Sequence, residues 1–100
     1  MATPHPTTLD PDGRVVAFDA GTVLHLALGR PDFVDEVELI LGIVAHPDHH
    51  EDDPLAGRER YYRRHLDRRR WLRVVVDFNV EPAWIVTAFV QTYSPQSWRT

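Results

Sequence analysis

The second half of the chain carries the strongest patterning. Arg70–Phe78 (RWLRVVVDF) and Ala83–Val90 (AWIVTAFV) are dense in β-branched and aromatic residues, which predicts two strands. Arg58–His65 reads as a third strand, joined to the next by a tight connection at Leu66–Arg69, and Asn79–Pro82 is a turn. Near the start, Asp12-Gly13 is a turn leading into a short strand over Arg14–Phe18. Between these blocks the spacing becomes helical. Thr22 can cap a short helix from Val23 to Gly29. Pro31 suits the first turn of a second helix, with Asp32, Asp35 and Glu36 near its positive end. Phe33, Val34, Val37, Ile40, Leu41 and Val44 give that helix one apolar face, and His46-Pro47 ends it. His46–Pro54 (HPDHHEDDP) reads as a polar loop closed by Ala56-Gly57.

The remaining stretches show no periodicity: 1–11 is expected to be an irregular or disordered arm and 94–100 a tail, leaving one domain over 12–93. The order β-α-α-β-β-β predicts an α+β fold, with two N-terminal helices packed on one face of a twisted antiparallel sheet of about four strands. Alternation in the Arg70–Phe78 strand turns Leu72, Val74, Val76 and Phe78 inward and puts Trp71, Arg73, Val75 and Asp77 on the other face. In the strand before it, Arg58, Arg60, Tyr62 and Arg64 are separated from Glu59, Tyr61 and Arg63. Both sets contain Arg and Tyr, so the pattern leaves open which set faces the helices.

Charge sharpens the picture. Up to Gly57 two Arg (Arg14 and Arg30) stand against eleven carboxylates; from Arg58 on, nine Arg stand against four, so segments of net −9 and +5 lie inside a total of −4. There is no Lys. Guanidinium is planar, always charged and able to grip a phosphate with two hydrogen bonds, and Arg mixed with Tyr and Trp is the composition of an anion site. The competing reading is a solvated strand pair in which Arg simply replaces Lys. Without Cys there is no disulfide or thiolate chemistry. No signal-like segment and no run of membrane-spanning length is visible, so the expectation is a cytoplasmic protein with no membrane partner.

Several motifs occur in a telling order: His25 on the first helix, Pro31-Asp32, Pro47-Asp48, Tyr61-Tyr62-Arg63-Arg64, Val74-Val75-Val76-Asp77-Phe78 and Val86-Thr87-Ala88-Phe89. In this the chain resembles the phage- and toxin-associated branch of the barnase–EndoU–colicin–RelE (BECR) nuclease superfamily, over about two thirds of its length. The resemblance implies a RelE/barnase-like fold and a metal-independent, cofactor-free endoribonuclease of toxin type. Such an enzyme cleaves RNA by attack of the 2′-hydroxyl on the adjacent phosphodiester and leaves a 2′,3′-cyclic phosphate. Carried over, it points to His25 for proton transfer, Arg63 for neutralising the phosphate and Thr87 for orienting it. It also implies RNA as ligand, with or without the ribosome, and an acidic antitoxin or immunity protein as partner. One departure matters: where the family has a second His before the Pro-acid pair, this chain has Arg30.

Around that trio, Arg30, Arg60, Tyr62, Arg64 and Arg73 are the candidates for holding phosphate or RNA. A strand must point Tyr61 and Tyr62 opposite ways, so one can stack on a base and the other belongs to the core. Trp71 and Trp84 read as core or cover residues. His46, His49 and His50, with Asp48, Glu51, Asp52 and Asp53, are rich in ligand atoms but lack the helix-fixed spacing of a hydrolytic zinc site, so no metal is expected. Two rivals remain. One is a catalytically inactive binding module that uses its Arg/Tyr face for RNA, a phosphorylated ligand or a protein. The other is a domain that forms a homodimer through an apolar patch of Val75, Trp84 and Val86 on its sheet.

Overall fold

A computed structural model of the protein describes residues 6–18, 37–64 and 70–91. Within them lie six strands and one helix: β1 (Thr7–Leu9), β2 (Val15–Ala17), α1 (Val37–Ala45), β3 (His49–Asp52), β4 (Arg58–Arg64), β5 (Trp71–Asp77) and β6 (Ala83–Gln91). The strands form one curled sheet, a half-barrel in the order β1-β2-β6-β5-β4-β3. All neighbours are antiparallel except β2 and β6, which run parallel.

This corrects the expected fold. The sheet is mixed and has six strands rather than about four, and one helix, not two, lies among the described residues. The expected first helix, Val23–Gly29, and the first turns of the second fall outside those residues. Both additional strands are short and polar. β1 sits within the stretch expected to be irregular, and β3 (HHED) within the expected polar loop. Edge strands held by main-chain bonds need no apolar alternation, so periodicity cannot find them. The parallel pairing of β2 with β6 joins distant segments, which no local pattern encodes.

The elements that periodicity did predict pack as their apolar residues require. Ile40, Ile43 and Val44 of α1 are buried against Tyr61, Leu72, Val74, Val76 and Ile85, with Val16 and Phe18 completing the core. Each such side chain contributes roughly 1.5–3 kcal/mol through burial. The predicted inward set of β5 is on this face, with Phe78 partly buried at its edge. A bulge keeps β6 in phase. Val75 pairs with Thr87 but Val76 pairs with Ile85, so Val86 is the extra residue and both Ile85 and Ala88 reach the core. The β1–β2 turn uses Gly13 at φ 81° and the β3–β4 turn Gly57 at φ 82°, a region that favours glycine. At Gly57 a Cβ would also run into the Asn79 side chain. Among the described residues no helix is long and apolar enough to cross a membrane.

Candidate functional site

Strand β4 divides the chemistry between the two faces of the sheet. Glu59, Tyr61 and Arg63 point to the helix side. Arg60, Tyr62 and Arg64 point to the other, where the register sets Tyr62 beside Arg73 and Arg64 beside Trp71.

On the helix side the polar groups are closed on one another. Asp10, with its side chain fully buried, is the hub of the β1–β2 turn. Its Oδ1 accepts from the backbone N–H of Asp12 (3.0 Å) and Arg14 (2.8 Å). Its Oδ2 accepts from Arg14 Nη2 (2.6 Å) and from the Tyr61 hydroxyl (2.8 Å). Arg14 also grips Glu59 with two bonds of 2.7 Å and lies 3.8 Å above the Phe78 ring. Glu59 is shared with His50, whose Nε2 lies 2.6 Å from Oε1, and the His50 ring stacks on Tyr61 at 4.2 Å and 19°. The titration directions follow. Burial alone would raise the Asp10 carboxyl, but hydrogen bonds from Arg14 and Tyr61 outweigh it and hold it below the ordinary value. The Arg14 hydrogen bonds hold Glu59 down against burial, with His50 adding to the effect. Burial, reinforced by Asp10, pushes the Tyr61 phenol up.

Arg63, expected to meet a phosphate, turns instead to the end of α1. Its Nη2 donates to the carbonyls of Gly42 (2.7 Å) and His46 (3.2 Å), so its charge caps the negative helix terminus. Nothing in the sequence signals this contact, because its acceptors are main-chain carbonyls.

On the opposite face the cations sit over a buried aromatic floor. Tyr62 and Trp71 are buried and meet edge to face at 6.4 Å. The exposed Arg64 guanidinium lies over Trp71, its Cζ 4.1 Å from the ring centroid. Arg60 is paired with Asp53 at 2.7 Å, and Arg73 is half-buried. Burial pushes the Tyr62 phenol up, while Arg73 and Arg60 pull the other way. Both tyrosines are fully buried, so neither is a stacking platform, contrary to the expectation that one would be. Thr87, half-buried and paired with Val75, is on this face too, across the sheet from Arg63. Of the expected catalytic trio, Arg63 and Thr87 lie on opposite faces, and His25, like Arg30, falls outside the described residues. Val75 is buried, so the apolar patch expected with Trp84 and Val86 is not an exposed one.

Where the two faces meet, at the start of β3, a cavity of about 570 Å³ is lined by Pro11, His46, Asp48, His49 and His50 among others. Asp48 joins it to the basic face by accepting from the Arg64 backbone N–H at 2.8 Å. Burial lowers the His49 imidazole. Alternation along β3 sends His49 and His50 to opposite faces, and among the described residues no three His, Asp or Glu side chains converge on a metal position. The Asp10–Arg14–Glu59–His50 network was missed by the sequence reading. The turn around Asp12-Gly13 was legible, but Arg14 and Glu59 are 45 residues apart and nothing local links them.

Comparison of the chain with family models, with curated proteins and with solved structures finds no match.

Proposed function

We propose that the protein is a binding module for single-stranded RNA, and that the Arg/Tyr face of the sheet is its binding surface. The supporting observation is the grouping on that face. Arg60, Tyr62, Arg64 and Arg73, the described members of the candidate binding set, lie together there, while the candidate catalytic residues are divided between the two faces. Arg64 stacked on Trp71 offers a planar cation to a base or a phosphate, and Arg73 adds charge beside it. The sheet floor beneath is buried, and the cations are presented from adjacent, paired strands. An RNA ligand places the working compartment in the cytoplasm, and an acidic protein partner would compete for the same face.

One observation favours a second reading, RNA cleavage, with a different residue in the proton-transfer role. His50 is held by Glu59 and fixed by stacking on Tyr61, as an imidazole oriented by a carboxylate is in acid–base sites. Among the described residues its other ring nitrogen has no partner, and it lines the cavity beside Arg64. Asp48, Asp52 and Asp53 nearby make that corner acidic, which disfavours a phosphodiester and ranks this reading second.

The test is fluorescence anisotropy of a 5′-labelled single-stranded RNA with purified protein in EDTA, across a range of salt. Binding that weakens as salt rises, with the RNA intact, supports the module. Shortened RNA, with cleavage lost in His50→Ala, supports the second reading. Absence of binding at low salt refutes both.

A further inference from the structure

The two ends of the sheet differ in how they are finished. At one end β3 presents His49, His50, Glu51 and Asp52, a charged edge of the kind that discourages strand pairing. At the other end β1 (Thr7, Thr8, Leu9) carries no charge. The ladder with β2 defines which main-chain groups of β1 are used. Asp10 N–H donates to Arg14 O at 3.0 Å and Phe18 N–H to Pro6 O at 2.9 Å, with Thr8 opposite Val16 between them. Residues 6, 8 and 10 thus direct their groups to β2. By alternation the N–H and C=O of Thr7 and Leu9 face outward, and among the described residues they have no partner. Leu9 is 56% exposed, and Val15, directly across the ladder from it, is 50% exposed.

We propose that a second copy of this chain adds to this edge, β1 antiparallel to its counterpart about a two-fold axis through Thr8. Thr7 then faces Leu9 of the other copy and Leu9 faces its Thr7, and each pair exchanges both main-chain bonds. The edge is complementary to itself because its outward residues are two apart, symmetric about Thr8, and uncharged. The same rotation puts the two Leu9 side chains on one face of the joined sheet as diagonal neighbours about 7–8 Å apart, each flanked by its own Val15. Such an interface is isologous and closes at the dimer. Leu9 and Val15 lie on the face that carries Arg64 and Arg73, so pairing sets both basic faces on the same side. The dimer itself does not depend on RNA.

Sedimentation equilibrium of the full chain without RNA tests this. A strand this short predicts dissociation in roughly the ten to few hundred micromolar range, with mass rising from monomer to dimer as concentration increases. Thr7→Pro removes an outward N–H, and Leu9→Glu places two carboxylates beside the axis. Neither touches a bond to β2, so both are expected to keep the wild-type circular dichroism and to weaken association by about tenfold or more. In the wild type, hydrogen exchange at the Thr7 and Leu9 amides should slow as protein concentration rises, while Thr8 stays slow throughout. A wild-type protein that remains monomeric to about 1 mM overturns the proposal. So does a dimer that both substitutions leave intact, or amide exchange at Thr7 and Leu9 that ignores concentration.

Discussion

Arg63 and Arg64 are neighbours in the chain and differ in every respect that matters to function. Arg63 faces the helix side, where its guanidinium is spent on the carbonyls of Gly42 and His46. Arg64 faces the other way, exposed and over the Trp71 ring. The same division runs through the whole of β4. On the helix side Glu59 and Tyr61 join Asp10, Arg14 and His50 in a network in which the one guanidinium is shared between two carboxylates. On the other side Asp53 pairs with Arg60 and acts on Arg73 as well, and Arg64 lies over the Trp71 ring beside the buried Tyr62. A count of arginines therefore says little about where an anion binds. What decides is the face of the sheet to which the strand's alternation delivers each guanidinium, and how exposed it is there.

The contrast can be broken most forcefully at its closed side. Asp10→Ala leaves Arg14 still paired with Glu59 but takes the acceptor from the Tyr61 hydroxyl and two turn amides, and should cost about 3–5 kcal/mol in urea unfolding. Asp10→Asn should cost less, because it keeps an acceptor at the turn. Next comes Arg63→Ala. Loss of the cap on α1 should lower stability by about 1–2 kcal/mol and leave RNA affinity unchanged once folding is allowed for. Equal loss of RNA affinity would instead place Arg63 at the ligand. Arg64→Glu should do the reverse, weakening RNA binding by about tenfold with stability lowered by about 1 kcal/mol or less, the worth of its contact with Trp71.

Acid titration sharpens the same contrast at a finer level. Asp10 and Glu59 both have carboxyls held below their ordinary values, 3.8 and 4.5, in the folded protein. Groups of this kind contribute stability that is fully present above the unfolded-state values and is lost as pH falls through the folded-state ones. Unfolding free energy should therefore decline below about pH 4, with a shallower decline in Asp10→Asn, after a gentler loss that begins as pH falls below 6.5, the ordinary value of the His49 imidazole, which burial lowers. A decline as steep in that variant as in the wild type would remove Asp10 from the account.

Much of this fold was written in local pattern. The strands β4, β5 and β6 follow from β-branched and aromatic density, and the inward set Leu72, Val74 and Val76 from alternation. The grouping of Arg60, Tyr62 and Arg64 followed from alternation as well, because side-chain period along a strand is independent of what the strand packs against. What stayed hidden depended on distance or on the backbone. β3 is a polar edge with no apolar signal. The pairing of β2 with β6 joins segments far apart in the chain. Arg63 binds carbonyls, which carry no side-chain signature. The link from Arg14 to Glu59 appears only when the turn at Asp10 is laid against β4. Both tyrosines proved buried although the charged residues around them suggested a surface, because Trp71 and His49 pack against one and His50 and Asp10 against the other.

The most direct test of the central claim is an NMR titration of the labelled protein with a short single-stranded RNA, following the arginine Nε–H and tryptophan indole N–H resonances. The account predicts that Arg64, Arg73 and the Trp71 indole shift together and saturably, while Arg14 and Arg63 stay in place. Shifts centred on Arg63 and His50, with Arg64 and Trp71 unmoved, would contradict it and move the ligand to the helix side of the sheet.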